Sequence, residues 1–348
     1  MRIERRETGS PYRVAAASVL ALLVMLLLGS LLIAAAGAPI LPSWRALLVG
    51  ALGSRLAISE VLTRTTPLIF TGLACAIAFR ARLWNIGAEG QLYAGALAVA
   101  ALGSGWIAAP AIVLIPLLLV AGALAGSLYL LGPTLLKRFL NVDEVVTTLL
   151  LNFVMGLIVS MLIQGPMRDP LSMGWPQSMP VADQASLPKL MAQTRLHWGF
   201  VIALAFALIA SLVEARSVLG FKRRVVGANP QAARFAGMSA TRVMLVTALW
   251  SGGLAGLAGA VEVMGLRGYV TGDLSPGFGY TGVIVAMLAQ LNPLAVVPSA
   301  FVVAVVFVGA DAMSRIFNVP GYIADVMVGL SLFVMLGTSF LLGYRIRR

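Results

Sequence analysis

Asn85, Glu89 and Gln91 stand close together in LWNIGAEGQLYAG, the glycine-punctuated stretch from Leu83 to Gly95. An amide and a carboxylate four residues apart share one face of a helix, so the group has two uses. It can tie a broken helix together, with Glu89 hydrogen-bonded to Asn85, Gln91 or Arg82, or it can offer polar contacts to a passing solute. The residue types leave both open. Other chemistries lack their residues: G-x-S-x-G, H-E-x-x-H and C-x-x-C do not occur, His197 and Cys75 are each alone of their kind, and no acid pair is spaced for hydrolysis. No metal site is expected. A G-x-x-x-x-G-K-[ST] phosphate loop is also missing, so neither ATP hydrolysis nor a cofactor is expected of this chain.

The elements that carry these residues follow from an extreme composition. Of 348 residues, 60% are hydrophobic and 11% charged, where a soluble domain has about a quarter charged. A helix crosses a bilayer with roughly 20 apolar residues. The long candidates are Ala15 to Ala36, Val61 to Phe79, Ile107 to Leu131, Val145 to Ile163, Val243 to Met264 and Tyr322 to Leu342. Shorter ones are Ile86 to Leu102, Trp198 to Val213, Phe278 to Leu291 and Leu294 to Ala310. The expected fold class is all-α: a polytopic membrane protein with about ten transmembrane helices in a single domain over 1–348.

With both termini cytoplasmic, seventeen of the 25 Lys and Arg fall inside and eight (Arg45, Arg55, Arg64, Arg168, Lys189, Arg195, Arg267, Arg315) outside, the asymmetry expected of a multi-pass protein. The net charge of +12 then reads as membrane orientation. Lipid is the expected surrounding, not nucleic acid, which would call for a basic folded domain. MRIERRETGSPYR followed by an apolar run resembles a signal peptide with AAAGA as its cleavage site. The run exceeds the usual length, so a retained first span is expected.

A carboxylate at the bilayer centre costs about 2.5 kcal/mol or more, so Glu89 should face a partner or a cavity. An internal echo supplies a location: IGAEGQLYAGALA aligns with FGYTGVIVAMLA, matching Gly87 to Gly279, Glu89 to Thr281, Gly90 to Gly282 and Ala94 to Ala286. As the third and eighth spans the two segments run oppositely, as in an inverted repeat, where short glycine-interrupted helices meet near a binding site. Asn152 and Thr148 share a face of the fifth span, and Glu262 lies near the outer end of the seventh; each is helix glue or a pathway residue. Asp143 and Glu144 suit a helix N-terminus, and Asp311 and Asp325 read as solvated or capping groups. Small residues at four-residue spacing (Gly122 and Gly126; Gly252, Gly256 and Ala260; Gly90, Ala94 and Ala98) predict close helix packing. Trp84, Tyr93, Phe278 and Tyr280 could stack on a planar solute or serve only in packing or as interface anchors.

Two polar stretches remain. Residues 164–197 are rich in proline and predict an extracytoplasmic loop without its own core. Residues 214–242 predict a cytoplasmic loop holding a helix of about two turns, with Asn229 as N-cap, Pro230 first and Gly237 just past the end. A helix that short must dock on something.

FRARLWNIGAEGQ, VDEVVTTLLLNF, QGPMRDP, PQSMPVADQASLP, VVGANPQAARFAGM and GAVEVMG together resemble the inner-membrane permease subunits of bacterial ABC importers for nucleosides and simple sugars, relatives of the branched-chain amino-acid permeases. The resemblance runs from about Thr65 to Leu342. It implies a type II importer-like permease working as a pair, a heterodimer in the first instance and a homodimer otherwise. An ATP-binding subunit would carry ATP and magnesium, and a substrate-binding protein or lipoprotein would deliver solute. The implied coupling helix comprises Asn229, Pro230, Ala233, Arg234 and Gly237. The implied pathway comprises Asn85, Glu89, Gln91, Asn152, Glu262 and Thr281, with Gly87, Gly90, Gly279 and Gly282 at its glycine turns. Family members usually carry an acid where this chain has Thr281. Sugar or branched-chain amino-acid transport, or a secondary transporter or channel, are the alternatives.

Overall fold

In lipid every backbone polar group must be satisfied internally, and most of the described residues are helical. The computed structural model describes residues 2–5, 23–24, 26–318, 320, 322–323, 325–330, 333–334 and 344–347. In order the helices are α1 (Leu26–Ala35), α2 (Ile40–Leu52), α3 (Arg55–Arg80), α4 (Ala88–Gly103), α5 (Ala111–Leu140), α6 (Glu144–Gln164), α7 (Gly199–Arg216), α8 (Val218–Ala228), α9 (Pro230–Phe235), α10 (Ala240–Glu262), α11 (Phe278–Leu288) and α12 (Pro293–Phe317). A π-helical turn, Val263–Arg267, continues α10. Two short strands, β1 (Arg2–Arg5) and β2 (Tyr344–Arg347), pair antiparallel.

Among the described residues six helices are long and apolar enough to cross a membrane, and α1 with α2, bent by 111°, pass together. The expected first span shows only its α1 portion, since residues 15–22 lie outside the described residues, as do 335–342 of the expected last one. The helix α2 was not anticipated; Pro39, Pro42 and Arg45 interrupt its hydropathy. The expected third and eighth spans are the short helices α4, 16 residues, and α11, 11 residues. At 1.5 Å per residue α11 covers about 16 Å, roughly half a ~30 Å hydrocarbon layer.

The chain divides into two units, residues 1–61 with 302–348, and residues 62–301. In the first, Gly37 (φ 76°) makes the bend between α1 and α2, and Trp44 Nε1 donates to Ser30 Oγ at 3.0 Å across it. There Gly50 lies against Ala312, and Gly309 against Leu47.

The second unit is built on α4, α5 and α10. A Cβ on Gly95 would stand 2.1 Å from the Gly256 carbonyl oxygen, and one on Gly126 would stand 2.3 Å from that of Gly252. Glycine lets the backbones touch, and dispersion over such a seam holds helices together where lipid removes the hydrophobic driving force. Ser127 Oγ seals it with a 2.7 Å bond to the Leu249 carbonyl. The expected seam residues of α5 and α10 are the ones used. In α4 the face differs: Leu92 and Gly95 meet α10, Gly90 turns to α6, and Ala94 and Ala98 are half-buried. Burial sorts the layers, since the most apolar window is 89% buried in α3 but 28% in α5, α6 and α7.

Residues 164–197 form an extended strap whose one regular turn is Asp183–Ala185. Having no core, it borrows backbone partners: Ser178 N donates to the Val270 carbonyl, Val181 N to Gly268, Leu187 N to Met264 and Ala182 N to Gly103. The strap thereby covers the end of α10 and the segment leading to α11.

Candidate functional site

The first turns of α4 and α11 meet. A Cβ on Gly279 would stand 2.1 Å from the Glu89 amide nitrogen, so only glycine fits between the helix starts. Glu89 Oε2 accepts the Gly279 N–H at 2.6 Å, and the Ser275 hydroxyl and the Gly277 N–H also donate to it. Ser275 Oγ in turn accepts the Phe278 N–H at 2.9 Å. A carboxylate at a helix N-terminus answers both its free N–H groups and its dipole. Gly277, at φ 86°, supplies the left-handed turn that aims α11 at Glu89.

This junction lies well inside the helix bundle. Glu89 to Gly103 is fourteen residues of α4, about 21 Å, and the Gly103 carbonyl accepts from Ala182 of the strap. The non-helical segment before α11 has backbone groups satisfied by protein: Tyr93 Oη donates to the Gly272 carbonyl at 2.8 Å and accepts Ser275 N–H at 3.2 Å. Past the junction α11 runs along α3, where Gly282 meets Thr71 and Val285 meets Gly72.

Below Glu89 a separate amide pair holds the turn into α4. Asn85 Nδ2 donates to Gln91 Oε1 at 2.9 Å, and Gln91 Nε2 returns a bond to Asn85 Oδ1 at 2.7 Å. Asn85 Nδ2 also reaches Ser251 Oγ on α10, whose hydroxyl donates to the Ala74 carbonyl on α3. From α6, Asn152 accepts Gly90 N–H at 2.9 Å and donates to the Ile86 carbonyl at 3.0 Å, while Thr148 Oγ1 accepts Ile86 N–H. Helices α3, α6, α10 and α11 thus all bond to the stretch Asn85 to Gln91.

The structural tie is therefore present, with a different knot. Asn85 pairs with Gln91, whereas Glu89 bonds a backbone 190 positions away, a partner no local spacing could reveal. Thr281 is 7% and Glu262 1% exposed, on α11 and α10. Gly87 and Gly90 pack against Thr148 and Asn152, filling the space a Cβ would take. Of the aromatics, Trp84 packs on Phe79 with ring centroids 4.9 Å apart, Phe278 is buried, and Tyr280 is exposed by 39%. Glu144 is buried, accepting Trp84 N–H and pairing with Lys137, while Asp143 caps α6 by accepting Val145 N–H.

At the other end of the unit α9 has the expected form. Asn229 Oδ1 accepts Gln231 and Ala232 N–H, Pro230 is its first residue, and Gly237 follows at φ 75°. Ala233 is fully buried against Val226 and Val243, whereas Arg234 is exposed and Phe235 is 95% exposed. The helix α8 ahead of it was not anticipated, because its KRR run reads as plain charge. Its buried residues Gly220, Arg223, Val226 and Gly227 form one face.

Residues 57–336 match the family model described as branched-chain amino acid transport system / permease component. The chain is 32% identical to a glucose ABC transporter permease of Haloferax volcanii, over 99% of this chain and 93% of that protein. It is 32% identical to a guanosine ABC transporter permease of Bacillus subtilis, over 90% of each. A nucleoside ABC transporter permease of Lactococcus lactis is 29% identical over 90% of this chain and 88% of its own. No solved structure matches. Such permeases work with separate ATP-binding subunits, which hold the ATPase activity, and with a substrate-binding protein. With apolar spans around a buried polar junction and a match covering most of its length, the chain belongs to the permease component family of branched-chain amino acid transport systems, as a multi-pass ABC transporter permease.

Proposed function

We propose that this chain is one of two permease subunits of an importer that moves nucleosides across a bacterial inner membrane by alternating access, with both termini cytoplasmic. The meeting of α4 and α11 at Glu89 carries the reading: two short helices with satisfied starts make a constriction that opens when they part. Asn85, Glu89, Gln91, Asn152, Glu262 and Thr281 line or brace the route, and Gly87, Gly90, Gly279 and Gly282 allow the close approach that shuts it. Because its exposed face carries Arg234 and Phe235, α9 is the coupling helix, seated in the ATP-binding subunit. ATP and magnesium act there, and this chain hydrolyses nothing. A second permease, different in sequence, completes the membrane part.

The similarity to guanosine and nucleoside permeases supports nucleosides; the similarity to a glucose permease along nearly the whole chain supports a simple sugar as the second reading. The test is uptake into vesicles holding the complete transporter, with guanosine, adenosine, uridine, ribose, glucose and leucine compared. ATP-dependent accumulation of a nucleoside is expected. Accumulation of glucose alone would replace the substrate class, and uptake by this chain without ATP would reject the importer.

A further inference from the structure

A buried ion cluster sits between α9 and the Asn85 turn, and neither the pathway nor the coupling helix uses it. Glu214, at the end of α7, has a side chain 2% exposed and pairs with Arg223 of α8, whose side chain is 0% exposed. Its second oxygen accepts from Arg80, the last residue of α3, at 3.3 Å, and its backbone carbonyl accepts from Arg224. Arg223 Nε donates to Thr247 on α10 at 3.1 Å, and the guanidinium lies over the Trp250 ring, 5.5 Å from its centroid. Arg223 Nη2 is buried and lacks a partner.

Apolar side chains hold helices together with less desolvation than a buried ion pair, so such a pair is better suited to direction or switching than to stability. An orphaned guanidinium nitrogen has the same sense, because buried donors without partners are rare. The cluster also has mechanical continuity on both sides. One residue, Asn229, separates α8 from α9, and its N–H bonds to the Val225 carbonyl. On the far side a Cβ on Gly227 would stand 2.0 Å from the Arg80 carbonyl oxygen, so α8 bears on the end of α3. Seven residues on, the chain reaches Gly87 and α4.

We propose that Glu214, with Arg223 and Arg80, forms the joint that transmits movement of α9 to α3 and so to the α4–α11 constriction. These are positioning residues, remote from solute. The proposal rests on α9 being the coupling helix, and the experiment separates the two.

Complexes carrying Arg80→Gln, Glu214→Gln, Glu214→Arg with Arg223→Glu, or Arg234→Glu are isolated through a tag on the ATP-binding subunit. ATP hydrolysed and solute accumulated are then measured in vesicles. Arg80 is partly exposed, so its variant tests the joint with the least risk to folding. The expected result for Arg80→Gln and Glu214→Gln is retained assembly and hydrolysis, with solute moved per ATP lowered about fivefold or more. The double reversal keeps opposite charges at 214 and 223 but sets like charges at 80 and 214, so it should leave that ratio low. An unchanged ratio, or hydrolysis and uptake falling in proportion, overturns the joint. Arg234→Glu should release the ATP-binding subunit. Should it stay bound and couple normally, the coupling assignment fails, whatever the other variants do.

Discussion

Glu89 has to satisfy several donors at the start of α11 from a place where water does not compete, so keeping an acceptor there matters more than keeping its charge. Glu89→Gln keeps the shape and loses the charge, and should cost about 1 kcal/mol. Glu89→Ala leaves the donors bare and should cost about 3 kcal/mol. Thermal midpoints in detergent, with uptake alongside, check the order. His197 is the other telling residue. Its ring is fully buried beneath Gly265 of the π-helical turn, Nδ1 accepts Gly199 N–H at 3.1 Å, and burial holds its pKa down at about 4. The folded strap therefore keeps this histidine neutral, while the unfolded chain takes up a proton near the ordinary ~6.5. Stability is full above about 6.5 and falls as the pH drops from there toward 4. Protease cleavage of the strap should rise across that window, and His197→Asn, which can still accept the Gly199 proton, should flatten the profile. Legibility at this scale depended on distance along the chain. The capping of α9 by Asn229 was readable because it is local; the burial of His197 depends on Gly265, and the bond of Glu89 on Gly279, both far off.

Among the elements, the seam of α4, α5 and α10 makes the sharpest prediction. Gly256→Val and Gly95→Val drive a side chain into backbone with no flexible atom to yield, and should abolish accumulation of folded protein. Gly132→Ala, with open space around it, should behave as wild type. Expression and monodispersity in detergent distinguish the two classes. The spacing of Gly122, Gly126, Gly252 and Gly256 made this seam legible, because close helix contact needs small residues at one-turn intervals. Two elements were not legible, α2 and α8. Prolines and Arg45 disguised the first, and in the second the KRR run hid a buried face, since a paired arginine and an exposed one look alike in sequence. Gly227→Val tests that face: with the Arg80 carbonyl oxygen 2.0 Å from its Cβ, it should lower the yield of folded protein as the seam variants do.

For the whole molecule, composition announced a polytopic helical protein, and the length of its longest apolar runs located most of the spans. The shortness of α4 and α11 was readable as well, since Ile86 to Leu102 and Phe278 to Leu291 stand among the shorter apolar runs. In the second unit the distribution of contact has one more consequence. Where carbonyl meets glycine along α4, α5 and α10, there are no side-chain knobs that could step from one hole to the next, so these helices form a stator. In the proposed cycle motion then falls to parts that carry exchangeable polar clasps beside their packing: α11 with the Glu89 carboxylate, and α8 with Arg223. A transport cycle built this way spends its conformational freedom at a few polar clasps and keeps its apolar mass still.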